Sequence, residues 1–496
     1  MKVLLVYPHC PDSFWSFKHA LKFISKKAAV PPLGLITVSA MLPSTWQKKM
    51  VDMNINNLHS NDVQWADYVF ISAMYIQKES VSKVIAECKK WKKKIIAGGP
   101  LFTQEYSSYP EIDHLILNEA EITMPLFLKD LSAGQPQRLY KTDVYADMKS
   151  TPVPDFHLLS INDYASMNIQ ISRGCPFACD FCEITSLLGR KVRMKSTQQV
   201  ILELEALYAL NWRGSVSIVD DNLIGNRKEV KINLLPVIAK WMQEHHYPFS
   251  FSAQTSINLA DDKELLTLMT EAGFTSTFIG IESPDEISLE ECHKVQNRNR
   301  NMLHSIKEIQ NAGLQVSGGF IVGFDSDSPS VFQRQIDFIQ QSGIVSAMVG
   351  LLNAPKNTRL YNQLKAENRI SDEATGSNTD LSMNFIPKMD SKDLLDGYKK
   401  IIQSIYTIRP YYKRLRQLLL NYNRKSSHQT KISFPLFMAF LRSMFIIGFL
   451  NKGRGEYWKL VFWTLFNRPR AITEAVTYTV YGYHYRKVFG LGNKKI

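Results

Sequence analysis

Ser172-Arg173-Gly174-Cys175-Pro176-Phe177-Ala178-Cys179-Asp180-Phe181-Cys182 is the stretch on which the fold of this chain turns. Three of its six cysteines fall within these eleven residues, separated by three and then two others. Such a loop wraps three corners of an iron-sulfur cube, because thiolates are the ligands these clusters use, and the fourth iron is left without a protein ligand. A small molecule can chelate that open iron through an amine and a carboxylate and receive an electron from the cluster. A structural zinc loop is the competing reading, but zinc takes four ligands in paired spacings. His157, the nearest upstream histidine, belongs to no partner motif.

Working outward, strands are expected near Asn168, Val216, Ser250, Thr277, Val316 and Val345, each followed by helical sequence. Ser196 and Gln199 form a capping box for the first of these helices. Six such units predict a partial (β/α)6 TIM-like barrel over residues 166–385, with its chemistry in the loops after the strands. Upstream, residues 1–135 alternate short apolar strands (3–7, 68–72, 94–97, 114–117) with helical patterns (32–41, 81–91, 121–131). That alternation predicts a doubly wound, Rossmann-like α/β domain whose ligand lies at the strands' carboxyl ends. Gly134, Pro136, Pro152 and Pro154 break the pattern, so residues 136–165 read as a linker. Residues 386–496 read as mostly helical.

Composition excludes other classes. With 496 residues and 45% hydrophobic content the chain fills packed cores, and six cysteines are too sparse for a disulfide scaffold. The apolar run at residues 3–7 is short for a signal peptide, and with so few cysteines a reducing cytoplasm is the expected compartment. Charge is uneven: residues 411–496 hold 16 Lys and Arg against Glu456 and Glu474, a balance of +14, and the rest of the chain balances at −1. The same segment holds 18 of the 55 aromatic residues. It points to an anionic surface or an apolar partner. Its apolar run at 432–450 contains Pro435 and a central Arg442, which costs ~2.5 to 3.5 kcal/mol at mid-bilayer. An interfacial or buried helix is therefore expected there.

The cysteine motif resembles that of the radical S-adenosylmethionine (SAM) superfamily, C-x3-C-x-aromatic-C, at Cys175, Cys179 and Cys182, over about residues 166 to 385. The resemblance implies a 4Fe-4S cluster held by these three cysteines. It also implies that SAM binds the unique iron and is cleaved reductively to a 5'-deoxyadenosyl radical. It places SAM contacts at Phe181, Asp220, Asp221, Gln254, Ser256, Glu282 and Gly319. Asp221 and Asn222 equally suit capping or turn chemistry, and Gly318 and Gly319 suit close backbone packing.

The N-terminal series Pro31-Pro32-Leu33-Gly34-Leu35, Trp65-Ala66-Asp67, Ser72, Gln77, Gly98-Gly99-Pro100 and Asn118-Glu119-Ala120-Glu121 is similar to the domain that precedes the barrel in cobalamin-dependent radical SAM enzymes. That similarity implies cobalamin contacts at Ser72, Met74, Gln77, Gly98, Gly99, Pro100 and Glu119. Asn118 stands where relatives commonly have Gly. The Asp-x-His-x-x-Gly motif is absent, and neither His59 nor His114 sits in its context, so cobalamin without a histidine lower ligand is implied. His9 and Cys10 end the first strand, with packing as the expected role of Cys10. Residues 398–412 and the basic aromatic segment are similar to the C-terminal region of the subgroup that includes the hopanoid C-2 methylases.

The implied function is a methyltransferase acting on an unactivated carbon of an apolar, isoprenoid or lipid-like substrate. Methylcobalamin donates the methyl group, one SAM remethylates cobalt and a second SAM supplies the radical. No acid or base is assigned. A cyclase, ring-contracting or oxidising enzyme would use the same two cofactors. An RNA-modifying enzyme is suggested by the +14 tail, although such enzymes add a small β-barrel where this tail reads helical. A redox-sensing binding protein leaves the open-iron loop unexplained. Expected partners are the small-molecule substrate and an external electron donor such as flavodoxin or ferredoxin. Either the tail touches the inner face of a membrane through its basic side chains and Trp458, Phe462, Trp463 and Phe466, or it caps the barrel.

Overall fold

The computed structural model describes residues 1–371, 376, 381–423 and 434–491. Its first sheet is built from β1 (Lys2–Tyr7), β2 (Gln47–Asp52), β3 (Tyr68–Ser72), β4 (Lys94–Gly98), β5 (His114–Ile116) and β6 (Leu139–Tyr140). All pair in parallel, in the order β2-β1-β3-β4-β5-β6. Val3 to Val6 are fully buried, as expected of a parallel strand covered by helices on both faces. The two strands that the apolar pattern did not reveal are the edges. β2 reads Gln-Lys-Lys-Met-Val-Asp, with lysines on its outer half, and β6 is two residues inside the segment read as a linker. Charged or very short edge strands resist pairing with other chains.

Then follow β7 (Ser166–Ile169), β8 (Ser172–Arg173), β9 (Arg193–Met194), β10 (Ser215–Ile218), β11 (Ser250–Thr255), β12 (Phe274–Glu282), β13 (Gln315–Val322) and β14 (Ala347–Leu351). Six of them form a second parallel sheet in the order β14-β13-β12-β11-β10-β7, and β8 with β9 makes a small antiparallel ribbon at its carboxyl end. The six expected barrel units are all present. The capping box is also formed, with the Ser196 side chain accepting from the Gln199 N–H.

Because β14 and β7 do not pair, the barrel is open along one side, and β14 would expose its outer carbonyls. Helix Ser391–Tyr406 covers that edge. Tyr406 Oη donates to the Ala347 carbonyl at 2.6 Å and Tyr398 Oη to the Val349 carbonyl at 3.3 Å. These alternate residues face away from β13, so the two hydroxyls stand in for a missing strand. Helix Ile472–Val488 closes the amino ends of the barrel, where Tyr485 Oη donates to Ser346 Oγ and Tyr478 Oη to Gln315 Oε1. The loop after β1 reaches across to this tail, and Phe14 stacks on Tyr485 at 4.3 Å between ring centres.

Within the apolar run at 432–450, helix Phe434–Ser443 continues into a π-helical turn, Met444–Phe449. Ile432 and Ser433 lie outside the described residues. Arg442 donates to the Phe23 carbonyl at 3.0 Å and to Ser25 Oγ at 2.6 Å, so its charge ties the tail to the loop after β1. Among the described residues no helix is long and apolar enough to cross a membrane.

Two bidentate ion pairs join the domains. Arg193 donates to both Glu119 oxygens at 2.6 and 2.7 Å, and Arg173 to both Glu121 oxygens at 2.8 and 3.0 Å. All four side chains are largely buried. Burial alone raises the Glu121 carboxyl, but the Arg173 guanidinium outweighs it and holds the group below its ordinary range. Its stabilising share is therefore complete above the usual Glu value near ~4.3 and disappears as pH falls below that. Without Arg193, buried Glu119 keeps only Arg173 at 3.5 Å and the Ala146 N–H, so Arg193→Ala is expected to lower the unfolding free energy by about 3 kcal/mol, the lower end for a broken buried pair. Urea denaturation at neutral pH measures it, and a loss below about 1 kcal/mol, the worth of a surface pair, would refute the clamp.

Candidate active site

The cysteine loop spans residues 174–192 between β8 and β9, and its shape is set by backbone constraints. Gly174 has φ +93°, and a Cβ there would lie 2.7 Å from the Lys191 carbonyl, so only glycine fits. Cys175 N–H donates to the Gly189 carbonyl at 3.2 Å, Cys182 N–H to Cys179 O at 3.1 Å, and Asp180 N–H to Cys292 O at 3.1 Å.

Two carboxylates at the end of β10 hold the start of the loop. Asp220 is completely buried; one oxygen accepts from the Ile171 N–H at 2.7 Å and the other from Ser172 Oγ at 2.6 Å. Burial pushes its carboxyl up to about 6. Asp221 accepts from the Gly174 N–H at 3.1 Å, and burial raises it as well. The resemblance pointed to both as SAM contacts, whereas their geometry makes Asp220 a positioning residue and engages one Asp221 oxygen in the turn.

The three thiols interact electrostatically with one another. They do not converge as ligands of one ion: among the described residues only Asp12, His19 and His484 bring their ligand atoms within 4.8 Å of one another. A tetrahedral zinc, at ~2.3 Å from each sulfur, requires closer sulfurs than this loop provides. Burial pushes the Cys182 thiol up to about 12 and raises Cys175. Both are therefore neutral thiols in the metal-free chain and must lose protons on binding metal.

A second wall faces the loop from the end of β12. Lys294 Nζ donates to Glu282 Oε1 at 2.6 Å. Burial lowers the Lys294 ammonium, but the Glu282 carboxylate at hydrogen-bond distance works against it, and the group stays above its ordinary range. Gln296 Nε2 lies 3.8 Å from Cys179 Sγ. Glu282 adopts φ +62° at a register shift between β12 and β13, where Asn297 Nδ2 donates to the carbonyls of Gly280 and Ile281. A Cβ on Gly280 would run into the Glu282 and Lys294 side chains. Buried oxygens of Asn222, Gln296 and Asn297 have no protein partner. That unused capacity fits a polar ligand.

Of the other SAM candidates, Ser256 meets Asn222 at 3.3 Å, Gln254 is exposed, and Phe181 packs edge-on against Phe324 at 6.3 Å. Gly319 lies under the Phe278 ring, which a Cβ would approach to 2.9 Å. Lys294 belongs to no motif, and no spacing pointed to Arg173, although it stands two residues before Cys175.

At the carboxyl edge of the first sheet, Met74 and Pro100 are exposed and Ser72 is half-buried. Gly99 has φ +93°, and a Cβ there would lie 2.9 Å from Ser72 Oγ; one on Gly98 would meet the Ile116 carbonyl at 2.5 Å. Gln77 is buried, accepting from the Met74 N–H and donating to the Pro8 carbonyl. Both Glu119 oxygens are engaged by Arg193. Asn118 has φ +62°, a conformation glycine shares and asparagine tolerates, which explains the exchange. His114 lies at the opposite end of β5, with Nδ1 2.7 Å from the Gln137 carbonyl.

An open six-stranded parallel barrel whose first strand leads into this cysteine loop defines a radical SAM enzyme. Residues 169–339 match the Radical SAM superfamily, and residues 358–496 match a domain of unknown function, DUF4070. The chain is 38% identical over 493 residues to the uncharacterized methyltransferase sll1242 of Synechocystis sp., covering 98% of this chain and 91% of that protein. It is 34% identical over 385 residues to the hopanoid C-2 methylase of Rhodopseudomonas palustris, covering 76% and 73%. The chain belongs to this radical SAM methyltransferase family. Its fold matches the radical SAM methyltransferase TsrM from Kitasatospora setae, solved with cobalamin and a [4Fe-4S] cluster (TM-score 0.60, 12% identity, 97% of this chain and 99% of that one). It also matches the cobalamin-dependent SAM radical enzyme OxsB, solved with aqua-cobalamin (TM-score 0.61, 14% identity, 100% and 82%).

The thiol environment has a measurable consequence. In metal-free protein at pH 8, Cys182 should alkylate roughly tenfold or more slowly than an ordinary free thiol, and Gly174→Ala should abolish that protection by displacing the loop. Peptide-resolved alkylation rates decide this; a fast Cys182 in the unaltered chain would contradict the described burial.

Proposed function

We propose that this chain is a cobalamin-dependent radical SAM methyltransferase acting on an unactivated carbon of an apolar, isoprenoid or lipid-like substrate. The observation that carries the proposal is the cysteine loop pinned by Asp220 and Asp221 opposite the charged Glu282–Lys294 wall. In this reading Cys175, Cys179 and Cys182 hold a 4Fe-4S cluster with one open iron. When bound, the cluster, SAM and cobalamin supply hydrogen abstraction and a transferable methyl group.

The chain's own residues do the rest. Lys294 places a cation beside the thiolates and offsets their charge. Asn222, Ser256, Gln254, Gln296 and Asn297 offer polar groups to SAM, and Gly280 leaves room for the Glu282–Lys294 pair beside them. Phe181 and Phe324 keep water from the loop. Trp15, carried in by the loop after β1, meets Phe278 edge-on at 5.4 Å. Together with Gly319 this pair gives the barrel an aromatic wall, which favours an apolar substrate. Ser72, Met74, Gly98, Gly99 and Pro100 would receive cobalamin at the topological switch of the first sheet, without a histidine lower ligand. Gln77 and Glu119 would support that edge from behind.

Support for the cofactor comes from the TsrM and OxsB complexes, and for the substrate class from the hopanoid methylase. An external reductant such as flavodoxin or ferredoxin and a peripheral position at the inner face of a membrane complete the reading. After anaerobic reconstitution, Cys179→Ala is expected to lose cluster absorbance and turnover together, and an active cluster-free variant would refute the site. Product analysis tests the reaction: methylated product with S-adenosylhomocysteine and 5'-deoxyadenosine supports methyl transfer. 5'-Deoxyadenosine alone would transfer the assignment to a cyclase or oxidising enzyme.

A further inference from the structure

We propose that the outer face of the two helical segments Phe434–Phe449 and Arg454–Asn467 docks on an anionic lipid bilayer. This deepens the peripheral location suggested above by naming the surface and its partner.

Along the first segment Phe437, Leu441, Phe445 and Phe449 recur every fourth residue and are all exposed, Phe445 at 62% and Phe449 at 57%. On the second, Phe462 and Phe466 share a face, and Phe466 is 85% exposed, more than any other large apolar side chain in the described residues. Trp458 joins the two stripes, with its ring 5.9 Å from Phe449 and 5.6 Å from Phe462. The face is rigid. Trp458 Nε1 donates to the Gly448 carbonyl at 3.0 Å, Ser443 Oγ meets Tyr457 Oη at 2.9 Å, and Arg442 fastens the first segment to the loop after β1. Isolated exposed apolar residues are ordinary, but a continuous apolar face needs an occupant.

Charge identifies the occupant. Lys452, Arg454, Lys459 and Arg470 are exposed around the patch, and Lys459 stands on the Phe462–Phe466 face itself. Glu456 is paired with Lys459 at 3.1 Å and Glu474 is buried, so no free carboxylate faces outward among the described residues of this region. A second copy of the chain would bring one strongly basic face against another. An anionic bilayer accepts the aromatic rings at its headgroup level and neutralises the surrounding cations. Among the described residues no helix is long and apolar enough to span a bilayer; the geometry is that of a surface contact.

The test is co-sedimentation of the full chain with phosphatidylcholine vesicles with and without about 30% phosphatidylglycerol, an anionic content that sets up the surface potential. Binding should require the anionic lipid and weaken with added salt. Phe445→Ser with Phe466→Ser should weaken it by roughly tenfold or more while leaving the circular dichroism spectrum unchanged. Binding that ignores lipid charge would overturn the proposal. So would an oligomer, seen by sedimentation without vesicles, that the same two substitutions dissolve. Vesicle binding needs neither cluster nor turnover, so its failure is separable from failure of the proposed reaction.

Discussion

In the proposed function three sulfurs of one loop hold a cluster, and the start of that loop is fixed by hydrogen bonds to buried carboxylates. Asp220 is removed from water entirely, a costly position for a charge, and the cost is offset because both of its oxygens accept hydrogen bonds from the entrance of the cysteine loop. Asp221 does the same for the backbone of Gly174. One residue earlier, Arg173 reaches into the other domain and grips Glu121. The same short turn therefore anchors the loop to the barrel and the barrel to the first sheet. Small changes at Asp220 should propagate to both.

The second constraint is the unclosed barrel. A parallel sheet is stable only when its faces and edges are covered, and six strands leave an exposed edge at β14. Tyr398 and Tyr406 satisfy that edge one carbonyl at a time. Arg414, itself fully buried, donates to the carbonyls of Val345 and Ile405 nearby. The loop after β1 supplies Phe14 and Trp15, so this loop, the barrel and the tail share one core, while the first sheet keeps separate cores on its two faces. That arrangement leaves the tail's other face, from Phe437 to Phe466, pointing away from the body.

Much of this was legible in the sequence because the signals are local. The cysteine spacing, the six strand-helix units and the Ser196–Gln199 cap each lie within a few residues. The edge strand Gln47–Asp52 was hidden by its lysines, since an edge needs no apolar alternation, and Leu139–Tyr140 was too short to show a period. The site was less legible. Lys294 meets the cysteines only after the chain folds back from β12, and no spacing announces it. Glu119 and Gln77 sit where the resemblance put ligand contacts, yet their polar atoms are engaged by Arg193, Met74 and Pro8. Position along the chain carries over between relatives more readily than the partner each side chain finds. The tail's charge was visible at once, but the clustering of its aromatic residues on one outward face depends on helix phase.

The most direct measurement of the central claim is electron paramagnetic resonance of the anaerobically reconstituted, reduced chain before and after adding SAM. A cluster held at three corners, with an iron open to the nucleotide, predicts a 4Fe-4S signal that shifts when SAM is added. Only adventitious iron, or a cluster signal indifferent to SAM, would contradict the account.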